Sequence, residues 1–306
     1  MNSKQLDLDN EQLDLDSTVI KKKKVKDPER VKKTIIFAVV YIFLAILVLI
    51  SIIPMYIVIN NATRSGQAIT ASGFAFLPGS AFSTNLEILL SQVNIFRGFT
   101  NSLFISVTFT LLSGYFSALT AYGFYLYKFK GNKTLFLIII IFMMIPTQLT
   151  FIGFVKLMMK YGFYDTYVPL IIPGIASIGT VFFLRQYASS TLSKEIIESA
   201  RIDGANELLI FHKIGIPLMM PGIATMSIFA FIASWNNYLG ALLMLSTESK
   251  LTLPVQLSKL KAMRIWWENQ GAIYLGFTFS IVPIIIVFIF ASRYLIENIA
   301  AGAVKG

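Results

Sequence analysis

The chain has no cysteine in 306 residues and a single histidine, His212. The first absence excludes disulfides, thiolate metal sites and cysteine nucleophiles together, and the second leaves no imidazole cluster to hold a metal. Charge is also scarce, at 14% of residues against 56% hydrophobic, and the mean hydropathy is +0.70. No Gly-x4-Gly-Lys-Ser/Thr loop for cradling phosphates occurs in the sequence, so nothing equips this chain to hydrolyse a nucleotide. What it has in quantity is apolar runs near ~20 residues, each able to cross the ~30 Å hydrocarbon core as a helix. The expected fold class is all-α, a polytopic membrane protein. The net charge of +10 reads as a topology signal and not as an attraction to nucleic acid.

Residues 1–33 are expected to form a disordered cytoplasmic tail. The near-repeat QLDLD at Gln5–Asp9 and Gln12–Asp16 is acidic and the run at Lys21–Lys26 is basic, so the two blocks can pair loosely but bury no core. Lys21–Lys24 are suited to rest on anionic membrane lipid. No small-residue cleavage pattern follows the first apolar run, which is therefore expected to stay as an anchor. Residues 34–306 are expected to form one domain with six transmembrane helices, at about Thr34–Asn60, Gly98–Tyr127, Thr134–Val155, Thr166–Leu184, Leu218–Ser246 and Gly271–Ser292. The segment Asn61–Arg97 reads as external, with short structure at most. With the N-terminus inside, 18 Lys and Arg fall on the inner side and 8 on the outer. That bias puts both termini, and the loop between spans four and five, in the cytoplasm. Prolines 54, 146, 169, 173, 221 and 283 are positioned to kink spans.

That loop, about residues 190–217, is a long polar interruption. Ser193 is expected to cap a helix through Ile202, with Glu195 favourable near its N-terminus and Ile196, Ile197 and Ala200 on one face. Gly204 is expected to turn the chain and Asp203 to cap the next helix, whose apolar stripe would be Leu208, Phe211 and Ile214. Pro217 marks the start of the fifth span. Such an elbow, apolar on one side and charged on the other, can seat in a groove of a soluble partner. A plain amphipathic hairpin joining two spans is the alternative on physics alone. Within the spans, polar residues are expensive and usually face a bundle interior or an aqueous path. Trp235, Asn236, Asn237 and Tyr238 are the first candidates to line a substrate path. Gln148 with Thr150, and Asn101 with Ser102, are weaker ones. Hydrogen bonding between helices is an equal reading for all of them.

The loop's spacing also carries a resemblance. Glu198-Ser199-Ala200, three residues, Gly204, nine residues, then Ile214-Gly215-Ile216-Pro217 resembles the coupling-loop signature Glu-Ala-Ala, three residues, Gly, nine residues, Ile-x-Leu-Pro. That signature belongs to permease subunits of binding-protein-dependent ABC importers. Thr120–Gly131, Ile145-Pro146, Phe182–Gln186, Ser234–Tyr238 and Ala301–Gly306 look like the carbohydrate branch, in particular the smaller permease of the maltose importer. The likeness runs over residues 34–306. Departures are Ser199 for the first alanine, Ile216 for the leucine, and Ser193 near a position where the family often has proline.

The resemblance implies a multi-pass subunit of a prokaryotic cell membrane that imports a carbohydrate, in the first place an oligosaccharide, by alternating access. It implies that Glu198, Ser199, Ala200, Asp203, Gly204 and Pro217 couple this chain to an ATPase subunit. Its partners would be a second homologous permease, two ATP-binding subunits and an extracytoplasmic solute-binding protein. ATP and Mg would then sit in the partner subunits, with no cofactor or metal held by this non-catalytic chain. Gln256, Trp266 and Trp267, in the external loop Thr247–Gln270, become candidate contacts with the solute-binding protein. An ion-gradient-driven secondary transporter and a non-transporting membrane scaffold stay open as alternatives; the near absence of carboxylates in the spans weighs against the first.

Overall fold

The structure is a computed structural model that describes residues 28–261 and 268–303. No strand occurs among the described residues. Helix α1 (Pro28–Asn61) starts earlier than the expected Thr34, with proline in the first turn, where its missing N–H costs nothing. Among the described residues, those through Tyr56 form one compact unit and those from Ile57 another. In the first unit the apolar side chains from Ile35 to Ile53 are exposed, a surface suited to hydrocarbon and not to water.

The second unit is built on α4 (Ile95–Leu126), which packs along α8 (Ile178–Thr191) and α11 (Ile216–Trp235). Helix α14 (Gln270–Ala303) packs on α11 and on α3 (Phe82–Gln92). The sequence makes α4 the centre by giving it small buried residues: Ser106, Ser113, Gly114, Ser117, Ala118 and Ala121. Small side chains let helix backbones approach closely where lipid supplies no hydrophobic drive for association. A Cβ on Gly114 would lie 3.1 Å from Ser227 Oγ, and one on Gly222 2.8 Å from the Tyr187 ring. Larger apolar groups fill the two ends of the bundle. One cluster gathers Leu89, Phe231, Trp235 and Leu257; the other gathers Tyr122, Leu184, Ile197, Phe211 and Met219.

Five helical stretches among the described residues are long and apolar enough to cross a membrane, and the expected third span is divided. Its first piece, α5 (Asn132–Met143), has 12 residues and reaches only ~18 Å. Pro146 has no N–H and its ring clashes with the carbonyl four residues back, so the chain passes through a 3₁₀ turn at Thr147–Thr150 before α6 (Phe151–Lys160). The fourth span likewise opens with α7 (Val168–Ile171) and a 3₁₀ turn at Ile172–Gly174 around Pro173, and α8 then continues past the expected Leu184. The fifth stops at Trp235, breaks at Asn236 and resumes as α12 (Tyr238–Met244).

The segment from Asn61 to Arg97 holds two short helices, and a buried arginine fixes them. Helix α2 (Gly66–Ser72) and α3 are organised around Arg64, which is only 5% exposed. Its guanidinium donates to Asn61 Oδ1 and Gly73 O at 2.9 Å, to Ala68 O at 2.8 Å and to Ser72 Oγ. Asn85 Nδ2 donates to the Ala62 and Arg64 carbonyls, each at 2.9 Å. A buried cation demands such saturation, and here carbonyls and hydroxyls supply it.

Candidate functional site

The polar loop is a rigid elbow. Helix α9 (Lys194–Ile202) is capped by Ser193, whose Oγ accepts from the Ile196 N–H at 3.4 Å. The Ser193 hydroxyl also donates to Glu195, which holds that carboxyl below its usual range. The helix closes with Ala205 N–H donating to Ala200 O at 3.0 Å, and Gly204 takes φ +82° in the turn. A Cβ on Gly204 would meet nothing within 4 Å, so the need for glycine is conformational and that face is open.

Two expectations for the loop are corrected. The cap of α10 (Glu207–Ile210) is Asn206, whose Oδ1 accepts from the Leu209 N–H at 2.8 Å. Asp203 still belongs to the end of α9, where its backbone closes the helix, so its side chain comes three residues too early. The buried stripe keeps the expected Phe211 and, half-buried, Ile214, but Ile210 stands in place of Leu208. Ile210 and Phe211 are each 1% exposed, while Leu208 is 64% exposed. A wide π turn at Phe211–Gly215 changes the angular phase, and Pro217, unable to donate, follows in the first turn of α11. The chain runs on without a break from Glu207 to Trp235.

The inner face of the elbow is anchored by Ile197, Ile210 and Phe211 against α4, α8 and α11. Tyr residues of α4 and its C-cap hold its ends. Tyr125 donates to Leu192 O at 3.0 Å, and the Tyr115 hydroxyl lies 3.2 Å from His212 Nε2. Arg201 donates to both oxygens of Glu207, at 2.7 and 3.3 Å, and the Tyr127 hydroxyl donates to the same carboxylate. Desolvation, then the bond to Glu207, raises the Tyr127 pKa. The outer face exposes Glu198, Ser199, Asp203 and Gly204, with Ala200 half-buried and Pro217 exposed. Between the charges stand bare apolar side chains: Ile202 is 86% exposed and Ile196 49%.

The candidate path residues separate into different roles. Trp235 is core, 1% exposed, with Nε1 donating to Ser280 O at 3.0 Å and its ring against Phe99 and Phe231. Asn237 caps α12, accepting from the Gly240 N–H at 3.0 Å. Asn236 and Tyr238, joined by Trp235, line a cavity of about 390 Å³ with Ser258, Phe277 and Ser280. The Gln148 side chain lies outside the described residues. Asn101 Nδ2 donates to the Ser249 and Leu251 carbonyls, and Ser102 Oγ accepts from the Leu253 N–H, so both pin a loop.

Of the candidate binding-protein contacts, Trp266 and Trp267 lie outside the described residues. Gln256 is fully buried on α13 (Leu253–Lys261), its Nε2 3.4 Å from Glu248 O. It presses on Gly98 of α4, where an added Cβ would lie 2.9 Å from its Cγ, so its side chain supports the loop from inside.

Sequence reasoning passed over Asp165. It sits at φ +57°, and its Oδ1 accepts from the N–H groups of Ser246 and Thr247 at 2.9 and 3.0 Å. Its other oxygen takes the Thr247 hydroxyl and, at 3.0 Å, the Lys250 ammonium. The hydroxyl and amide donors of Thr247, then Ser246, hold its carboxyl well below the usual range. The signal was available: no other acidic residue lies between Glu87 and Glu195.

Membrane-length helices and a partly apolar elbow exposed beside them define a polytopic membrane protein. Residues 110–300 match the family described as binding-protein-dependent transport system inner membrane component, and the chain belongs to that family. It is 35% identical over 265 residues to the arabinooligosaccharides transport system permease protein AraQ of Halalkalibacterium halodurans, covering 86% of this chain and 94% of that one. With its counterpart in Bacillus subtilis the identity is 37% over 211 residues, 69% and 74% of the two chains. The fold matches, at TM-score 0.75 and 26% identity, the crystal structure of a bacterial ABC transporter involved in the import of the acidic polysaccharide alginate, over 86% of this chain and 97% of that one. The protein is thus a multi-pass permease subunit of an ABC importer.

Proposed function

We propose that this permease admits a carbohydrate, in the first place an oligosaccharide, by alternating access, and that residues 193–217 seat in ATP-binding partner subunits. The observation that carries the coupling reading is the exposure of Ile202 and Leu208 on an elbow whose opposite face is locked into the bundle by Ile197 and Phe211. Bare apolar groups on a rigid, charged turn suit insertion into a groove, and the locked face lets a displacement of the elbow reach α4 and α11. Glu198, Ser199, Ala200, Asp203 and Gly204 form the docking turn in this reading. Pro217 sets the angle at which the turn joins α11.

The carbohydrate reading is supported by relatives named for arabinooligosaccharide and lactose transport. Asn236 and Tyr238, which bring an amide and an aromatic face to one cavity, are the residues proposed to meet the sugar. Nucleotide and Mg reside in the ATPase partners, a second permease chain completes the pathway, and an extracytoplasmic binding protein delivers the substrate. Trp266 and Trp267 are kept as its contacts on sequence grounds. Both termini and the elbow face the cytoplasm in this reading, which the excess of Lys and Arg on that side supports.

The test is uptake and substrate-stimulated ATPase activity of the reconstituted importer carrying Gly204→Pro or Glu198→Lys. Both variants are expected to assemble and to lose stimulation and uptake together. Uptake that persists with no associated ATPase would sink the proposal and favour a gradient-driven carrier.

A further inference from the structure

Arg185 lies within a membrane-length stretch, Val168–Thr191, yet its guanidinium has no hydrogen bond or ion pair among the described residues. Its Nε is buried without an acceptor. What holds the group is a face and not an anion: the guanidinium carbon sits 4.0 Å over the Phe136 ring of α5, which stacks in turn on Phe182 of α8. Stacking uses the flat side of a guanidinium and leaves its edge donors unsatisfied. A cation within a span is stabilised by an anionic partner, and the unsatisfied Nε gives one a donor here.

Depth and surroundings say which anion. Arg185 is six residues from the end of α8 at Thr191, ~9 Å, and Phe136 is four from the start of α5, ~6 Å. That is the depth to which a long cationic side chain reaches a lipid headgroup. Lys128, Lys130 and Lys133 stand exposed at the same end, and no ion pair among the described residues engages them. Farther along the groove the surface is apolar, with Ile138, Phe182 and Phe183 exposed. A cation at headgroup depth followed by an apolar strip at acyl depth fits one amphiphile with an anionic head.

We propose that the groove between α5 and α8 binds an anionic phospholipid, with the Arg185 fork on its phosphate and Lys128, Lys130 and Lys133 around its headgroup. The site lies beside the end of α8 from which the elbow departs, so the lipid steadies that end against α5.

The whole importer in detergent, given equal phosphatidylglycerol and phosphatidylcholine and weighed by native mass spectrometry, tests this. The unmodified complex should retain phosphatidylglycerol selectively. Arg185→Ala should lower that retention about tenfold, as loss of a charge-assisted hydrogen bond does. Arg185→Lys should keep part of it, and Lys160→Ala, beyond the far end of the third span, should change nothing. If Arg185→Ala does not assemble, Phe136→Leu serves, since it removes the ring and keeps the charge; it should weaken retention and leave ATPase activity in phosphatidylcholine unchanged. Unaltered phosphatidylglycerol retention in the variant that assembles overturns the proposal. So does displacement of the lipid by inorganic phosphate, or capture of the second permease chain in place of lipid by a photo-crosslinker at position 185.

Discussion

The elbow works as a lever only if its inner face is fastened more firmly than its outer face is loaded, and Ile197→Ala tests that fastening. Ile197 is 1% exposed, packed among Leu184, Ala188 and Phe211. Truncating a buried isoleucine costs ~2–5 kcal/mol, from lost transfer energy and the cavity left behind. The other ties are weaker: the Arg201–Glu207 pair is 37% and 46% exposed and adds about 1 kcal/mol at most, and the Ser193 cap about 1 kcal/mol. A loss near ~3 kcal/mol should therefore raise the population of detached α9 roughly a hundredfold. Hydrogen exchange of the Lys194–Ile202 amides in the assembled importer reads this directly, with the ratio of uptake to ATP hydrolysis as the functional readout. Ile202→Ala is the counterpart. At 86% exposed it should leave exchange within about 0.5 kcal/mol of the native protein while weakening retention of the ATPase subunits. Equal loss of amide protection in both variants, or none in Ile197→Ala, would refute the division of the elbow into an anchored and a docking face.

Gly204→Ala should cost ~1–2 kcal/mol through backbone conformation alone, since φ is +82° and no atom crowds the new Cβ, and a lower melting temperature with intact assembly would register it. Asn206→Ala should lose about 1 kcal/mol of capping energy and Asp203→Ala almost none; equal shifts in thermal melts would restore Asp203 as the cap. The folded carboxyl of Asp165 titrates below its unfolded value near ~3.9, so its contribution is complete above that pH and is lost as pH falls toward the folded value. Melting temperature followed from pH 6 downward should thus drop more steeply in the native chain than in Asp165→Asn, and parallel curves would remove Asp165 from the loop's support.

What could be read in the sequence was whatever depends on local pattern. Apolar runs announced the membrane helices because length and hydropathy suffice for that. Ser193 and Gly204 were legible as a cap and a turn because both act within a few residues. The elbow's register was legible only in part: Phe211 and Ile214 face inward as expected, but Ile210 takes the inner place expected of Leu208, where the helix widens into the π turn at Phe211–Gly215. Periodicity presumes an unbroken helix, and a single widened turn is invisible to it.

Polar residues divided in the same way. Asn236 and Asn237 are adjacent and chemically identical, yet one lines a cavity and the other caps a helix, because the break after Trp235 points them apart. Gln256 reads as a surface residue and is buried, because Gly98 on a helix more than 150 residues earlier leaves the space for it. Arg64 and Asp165 organise their loops through partners spread over nine and 85 positions. The sequence by itself determined that this chain lives in a membrane, which stretches are apolar enough to enter it and which loop is an elbow, since these follow from short-range composition and geometry. Only the tertiary structure decided which face of the elbow is anchored and which is bare, and which polar groups are spent on packing, since those depend on contacts that residue spacing does not encode.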